Sequence, residues 1–215
     1  MPTWLRWTLW IVGILGIVLG VFRYFFIDFH RVPDDVTDPR NWAMSPNLEP
    51  GDFVLVWRGG TPHVGDVVRC NDPTDPQRWL VSRIIGLPGD KIEIVDGVFK
   101  INNFRIGTTA CSQNPRAVPY ADTSEVTLTC LNEEHGGNKH DIAYLPTGYT
   151  PFAEAVVQGG KYFVMSDNRS SPWSQDSRTP EVGQLPQESC TQRLVIRLTS
   201  KNGWGDSARR MGWLF

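Results

Sequence analysis

Residues 92–102 read IEIVDGVFKIN. Apolar and polar side chains alternate on either side of Asp96-Gly97, a pair that tolerates the positive φ angles a two-residue type I′ turn requires. The stretch therefore predicts a β-hairpin with strands Lys91 to Val95 and Val98 to Asn102. Working outward, further strand-like runs occur at close spacing: Phe53 to Trp57, Asp66 to Arg69, Trp79 to Ile85, Glu125 to Leu131, Lys161 to Met165 and Arg193 to Leu198. Sixteen Pro and twenty Gly punctuate them, and beyond the N-terminal segment no long amphipathic helical period interrupts them. The expected fold class is mostly β, built of antiparallel sheets. Residues 103–158 are richer in Thr, Asn, Gly and Pro and poorer in apolar runs, as expected of an inserted smaller β subdomain. The core then comprises 32–102 and 159–215.

The chain has 215 residues, of which 40% are hydrophobic and 20% charged, with nine Trp and ten Phe. Such a composition excludes disordered, collagen-like and coiled-coil chains. Residues 1–31 hold three Arg and one Asp, leaving 18 basic and 22 acidic residues and a net charge of -4 in the rest. An acidic body argues against nucleic acid as a partner. Cys70, Cys111, Cys130 and Cys190 form no CxxC pair. Cys111 and Cys130 share the central stretch and are the favoured disulfide, although four cysteines allow three connectivities and free thiols stay open.

From Trp7 to Val21 the chain reads WTLWIVGILGIVLGV without a charge, and after Arg23 it continues YFFI. Roughly 20 such residues suffice to cross a bilayer as a helix. Bulky Phe22, Tyr24, Phe25, Phe26 and Phe29 follow the apolar run in place of the small residues of a cleavage site, so an uncleaved anchor over 1–31 is expected. Trp4, Trp7 and Trp10 suit one interfacial belt and Tyr24 the other, with Arg23 snorkelling to the headgroups. Arg6 precedes the span while Arg23 and Arg31 follow it, so loop charge alone does not orient the body.

Three segments carry the chemistry: AMSPNLEPGDFVLV at 43–56, HVGDVVRCNDP through WLVSRIIGLPGDKIEI at 63–94, and SDNRSSPWSQDSR at 166–178. In this order, behind an N-terminal anchor, they resemble the boxes of the bacterial type I signal peptidases, membrane-bound serine endopeptidases that remove leader peptides from exported proteins. The resemblance spans nearly the whole chain, and RIIGLPGD with the DNR and DSR pair is its most specific part. It implies a body of antiparallel sheets on the extracytoplasmic side of the cytoplasmic (inner) membrane, crossed once, with signal peptides or a membrane secretion partner as what it binds.

That family works through a Ser nucleophile and a Lys base. An amine whose ordinary pKa is about 10.4 accepts a proton near neutrality only when apolar packing desolvates it. Both positions are altered in this chain. Ala43 stands before Met44 and Pro46 where the resemblance puts the nucleophile, and Ser82 stands before Arg83 where it puts the Lys. Alanine offers no nucleophile and a hydroxyl does not replace an amine base. Trp42 replaces a small residue, and its indole is expected to fill part of the cleft that would take substrate. Asn41 falls where a hydroxyl helps hold the oxyanion, a role its amide can share. SSPW at 170–173 lengthens the last box, and Ser166 stands for the usual glycine. By resemblance Ser174 would hydrogen-bond the catalytic Lys, while Asp176 and Arg178 form a supporting ion pair, a structural role here.

Replacement constellations are weak. Ser45, two residues from Ala43, would point to the same side of an extended segment but about 6–7 Å away. His63 opens a turn, and His135 and His140 sit in EEHGGNKH, read as a polar solvated loop. Cys111, Cys130, His135 and His140 lack familiar ligand spacing, so neither a metal nor another cofactor is expected. The leading reading is a signal-peptidase-like protein that binds leader-like peptides without cutting them, using Trp42, Met44, Pro46, Trp79, Leu80 and Val81 as its groove. The alternatives are an enzyme of that class working through rewired residues or derived from an altered active parent, and a structural component of a secretion or conjugation assembly.

Overall fold

The computed structural model describes residues 2–95, 98–111, 117–120, 124–146, 152, 154–170 and 172–214. Helix α1 (Thr3–Phe26) contains the apolar run, and none of its residues is buried against the body. At 1.5 Å per residue its 24 residues span about 36 Å, enough to cross a hydrocarbon core of about 30 Å. It ends where Ile27 turns extended, and the Arg23 guanidinium, over the Phe29 ring, donates to the Ile27 carbonyl. Residues 27–31, placed with the anchor by sequence, form instead the first strand, β1 (Ile27–Arg31), paired with β2 (Phe53–Trp57). Phe22 and Phe26 pack on Trp57 at the junction.

The main antiparallel sheet runs β1-β2-β16-β3-β4-β14-β15, with β3 Val67–Asn71, β4 Trp79–Gly86, β14 Lys161–Met165, β15 Leu185–Pro186 and β16 Gln192–Thr199. A short strand, β17 (Gly212–Trp213), adds to β16. Strand β2 buries Val54 and Val56 and leaves Phe53, Leu55 and Trp57 half-covered, the period of two expected of a one-sided strand. Strand β4 is buried from Ser82 onward because both its faces are covered. Leu80 and Ile84 pack with Val68, Tyr162 and Val164, while Ile85 packs with Ile92, Phe163 and Met165.

The predicted hairpin is present: β5 (Lys91–Val95) and β6 (Val98–Ile101) pair with Val95 opposite Val98, and the turn pair Asp96-Gly97 lies outside the described residues. With β7 (Phe104–Arg105) and β13 (Ala155–Val156) it makes a four-stranded sheet ordered β13-β5-β6-β7. Gly86 lets this sheet close on β4, since a Cβ there would lie 2.9 Å from Ile92 Cδ1. Between β7 and β13 come β8 (Gly107–Ala110), the ribbon β9 (Ala117–Tyr120) with β10 (Ser124–Thr127), and β11 (Thr129–His135) with β12 (Asn138–Tyr144). The expected strand Glu125 to Leu131 is therefore two, broken at Leu128, whose side chain turns into a core cluster.

EEHGGNKH is not a loop. Gly136 and Gly137, at φ 62° and 81°, form the turn of the β11–β12 hairpin, which carries His135 and His140 on its strands. Both cysteine pairs are joined, Cys111 to Cys130 as favoured and Cys70 to Cys190 as well, leaving no free thiol among the described residues. The second bridge ties β3 to the residues leading into β16, 120 positions away, inside a fully buried cluster.

Candidate functional site

A cleft of about 320 Å³ opens between the start of the body, the turn following a short 3-10 helix (Pro39–Trp42), and β4. Val32, Ala43, Met44, Leu48, Leu80 and Val81 give it an apolar floor. Asn41, Trp79, Arg40, Arg78 and Gln175 also line it. Among the described residues, 79–82 of β4 pair with β3 on one side only, because β14 joins the other side from Arg83 onward. That free strand edge borders the cleft, and its backbone groups can pair with an extended chain.

The structure thus brings Asn41, Ala43, Met44, Trp79, Leu80 and Val81 onto one cleft. It does not bring Ser82, Trp42, Pro46, Ser174, Asp176 or Arg178 to the wall. Ser82 is fully buried opposite Val68, on the strand face that carries Leu80 and Ile84, and its hydroxyl has no hydrogen-bond partner among the described residues. Ser45 is also buried with an unpaired hydroxyl, but its segment is a tight turn, with Ser45 N donating to the Trp42 carbonyl and Leu48 N to the Met44 carbonyl. It does not share a side with Ala43 as an extended strand would have allowed. Of the lysines, none of Lys91, Lys100, Lys139, Lys161 and Lys201 lines the cleft.

Trp42 corrects a sequence expectation. Its indole leaves the cleft open and packs instead against Val118, Leu128, Ala143 and Trp173, while Nε1 donates to the Val36 carbonyl at 3.0 Å. Trp173 is fully buried and comes from the SSPW lengthening, so two departures from the family pattern meet in one apolar cluster. Trp42→Ala should lower stability by about 2 kcal/mol, since the indole is only half-buried. Urea titration measures this, and ligand binding in the cleft should persist; loss of binding without loss of stability would put the indole in the groove.

The turn at 43–48 is held by buried polar contacts. Asn168 N donates to the Ala43 carbonyl at 2.8 Å, and Asn47 Nδ2 reaches the Asp141 carbonyl at 2.6 Å and Asp167 Oδ2 at 2.7 Å. Asp167, fully buried, takes a bidentate pair from Arg83 at 2.9 and 2.7 Å, and Arg83 Nη1 donates onward to the Gly65 and Leu214 carbonyls. His140, expected to be solvated, is buried on β12 with Nε2 3.5 Å from Glu133 and 3.9 Å from Asp167. Burial and then the Arg83 charge push its imidazole below the ordinary range, outweighing the carboxylates. Burial lifts the Glu133 carboxyl, but Arg169 at 2.9 Å and His140 more than offset this and bring it to about 2. His135 is half-buried, Nε2 lying 2.8 Å from the Ile85 carbonyl. His63 is exposed.

Asp176 and Arg178 form the expected pair, bidentate at 2.9 and 2.7 Å and buried, with Asp176 also accepting from Ser166 N and Arg178 donating to the Arg169 carbonyl. The Asn41 amide donates to the Asp35 carbonyl at 2.8 Å, so one of its two N–H groups is already engaged. His30, hidden in the presumed anchor, lines the cleft; burial and then Arg69 lower its imidazole to about 4, so it is neutral there near pH 7. Its signal in the sequence was the alternation Ile27-Asp28-Phe29-His30-Arg31, masked by the apolar run before it.

The sequence pattern of a family described as signal peptidase, peptidase S26, matches residues 4–199. The chain belongs to this signal peptidase family. It is 28% identical to signal peptidase I of Rickettsia felis over 73% of this chain and 60% of that protein. It is likewise 28% identical to signal peptidase I of Pseudomonas fluorescens over 81% and 62%. The chain thus spans about three-fifths of the length of these curated relatives. A solved signal peptidase I from Enterococcus faecalis V583 is 24% identical, covering 63% of this chain and 97% of that one at a TM-score of 0.37. The apolar N-terminal helix makes this member of the signal peptidase family a membrane-anchored protein.

Proposed function

We propose that this signal-peptidase-like protein binds leader-like peptides at the cleft and does not cleave them. The observation that carries the reading is Ala43, which lines the cleft beside a free β4 edge with no hydroxyl of its own and no lysine on the wall. An extended peptide adds as a strand along residues 79–82, and its small or apolar side chains rest on Met44, Leu48, Leu80 and Val81. Peptide docking of this kind needs backbone pairing and an apolar floor, neither of which depends on a nucleophile. Asn41, Ser174, Asp176 and Arg178 then act as framework, holding the walls that a reacting site would have needed.

The body lies on the extracytoplasmic side of the cytoplasmic membrane with the N-terminus inside, an arrangement supported by two disulfides, which persist in oxidising compartments. Residues 103–158 form an insert on a core of 32–102 and 159–215; the sheets made by 107–144, whose strands pair with one another and meet the core through a bridge from Ala143 to Asn168, support this division.

Full-length protein in detergent tests the reading. It should bind a leader-bearing preprotein saturably and leave it intact over hours. Cleavage at the leader junction would sink the reading, and so would an absence of saturable binding, which would favour a purely structural membrane component.

A further inference from the structure

We propose that the cleft selects peptides carrying a carboxylate, seated against the guanidinium groups of Arg40 and Arg78 at its mouth. The inference rests on the peptide-binding reading above and names its ligand class. Arg40 and Arg78 both line the cleft and share a single carboxylate, Asp38. Arg40 holds it through Nε and Nη2, at 3.0 and 2.8 Å, and Arg78 Nη1 adds a third contact at 2.8 Å. Two guanidinium groups therefore share one carboxylate and do not use all of their donors on it. Their side chains are 35% and 25% exposed, so the remaining N–H donors are within reach of a ligand.

Asp72 and Asp75 also act on Arg40. Asp72 is buried, and one of its oxygens is turned back onto Thr74, accepting from its amide at 2.8 Å and its hydroxyl at 2.6 Å, so it leaves the outer guanidinium donors unengaged. His30 is neutral near pH 7, and Arg31 adds a further cation to the lining. Arg31, Arg40 and Arg78 are thus set against Asp38, Asp72 and Asp75, and it is the unengaged guanidinium donors at the mouth, rather than a net local charge, that a ligand carboxylate meets.

Placement agrees with charge. Arg78 immediately precedes β4, so a peptide running along the free edge from Val81 reaches it after three residues, about 10 Å at strand rise. Trp79, 43% exposed, stands beside it with its ring 4.5 Å from the Arg69 guanidinium, offering an apolar plate next to the cations. An apolar floor ending in a guanidinium fork suits a short apolar segment followed by a carboxylate, which two parallel N–H donors hold well. An internal Asp or Glu and a chain-terminal carboxylate both supply that group.

Fluorescein-labelled ten-residue peptides, equal in their Ala and Leu positions, separate the two sources: one pair differs by Glu against Gln, the other by a C-terminal acid against its amide. Fluorescence anisotropy with the full-length protein in detergent, at about 50 mM salt where screening is weak, should show at least one carboxylate member binding about fivefold more tightly than its neutral partner. That ratio should fall below about twofold in Arg78→Gln, which leaves Asp38 bound by Arg40, and also in Arg40→Gln; a thermal melt of each variant confirms folding. The pair that shows the preference identifies the source. Equal affinities within both pairs, or a preference undiminished in both variants, would overturn the inference alone. No saturable binding by any peptide would overturn the reading beneath it as well.

Discussion

Introduced together, Ala43→Ser and Ser82→Lys are expected to give a protein that cleaves a leader-bearing preprotein at the leader junction, at least about a thousandfold faster than the unaltered chain. Each substitution alone should stay silent. A serine at position 43 would face the cleft, where a peptide on the β4 edge presents its carbonyl groups, yet without a base its hydroxyl proton has nowhere to go. A lysine at position 82 would start from a fully buried site on the strand face of Leu80 and Ile84, opposite Val68. Burial among apolar side chains disfavours the ammonium form, which is the shift a general-base amine requires. General-base assistance contributes about 10²–10⁴-fold, and the nucleophile itself is indispensable, so the combined gain is far larger than either part. The Asp176–Arg178 pair and the buried turn at 43–48 are already in place and need no rebuilding. Gel-based cleavage with mass determination of the products checks the result. A folded double variant that binds preprotein without cutting it would show that the cleft has diverged beyond its two lost groups.

Much of this arrangement was legible in the sequence because it rests on local chemistry. Strands β2, β5 and β14 begin and end where period-two patterning and turn residues place them, and the hairpin around Asp96-Gly97 follows from the φ demands of its turn. Ala43 and Ser82 were singled out through the boxes that flank them, and the structure puts Ala43 on the cleft and Ser82 in the buried part of β4. What escaped notice depends on partners distant in sequence. Nothing near Trp42 announces that its indole leaves the cleft for Trp173, 131 positions onward. EEHGGNKH looks solvated because its charges are counted singly; on paired strands Glu133 lies opposite His140, and Arg83, Asp167 and Arg169 arrive from other elements to neutralise them. The Gly136-Gly137 turn was the available signal for that hairpin, and polar composition outweighed it. His30 was obscured in a comparable way, because the apolar helix ahead of it drew β1 into the anchor.

Asp167→Ala is expected to lower the unfolding free energy by about 3–5 kcal/mol, because it strands the Arg83 guanidinium, fully buried, with only carbonyl partners. It also removes the acceptor that fixes Asn47, so the turn bearing Ala43 loosens and peptide affinity should fall with stability. Replacing both partners, Arg83→Met with Asp167→Leu, should cost less than the single change, since no uncompensated charge remains. Urea titrations of the three proteins at pH 7 test this ordering, and a single-variant loss under about 1 kcal/mol would show that the pair is not needed. The same network gives the protein an acid limit. Burial raises the Asp167 carboxyl, but the Arg83 charge and hydrogen bonds hold it below its ordinary range, and Glu133 sits near 2. Carboxyls depressed in the folded state contribute stability above their unfolded pKa values of about 4, and lose it as pH falls through the folded values. His140 adds an earlier loss: its folded imidazole is held neutral by burial and Arg83, so below about pH 6.5 the unfolded chain takes up the proton first. His30 and His135, whose imidazoles burial also lowers, act in the same direction. Unfolding free energy should therefore decline in two stages, the first setting in below about pH 6.5 and the second below about pH 4. His140→Gln should reduce the first stage by its own share and spare the second. A wild-type profile that stays flat from pH 7 to 5 would refute the neutral buried imidazoles, and an upper decline undiminished in the variant would show that His140 takes no part in it.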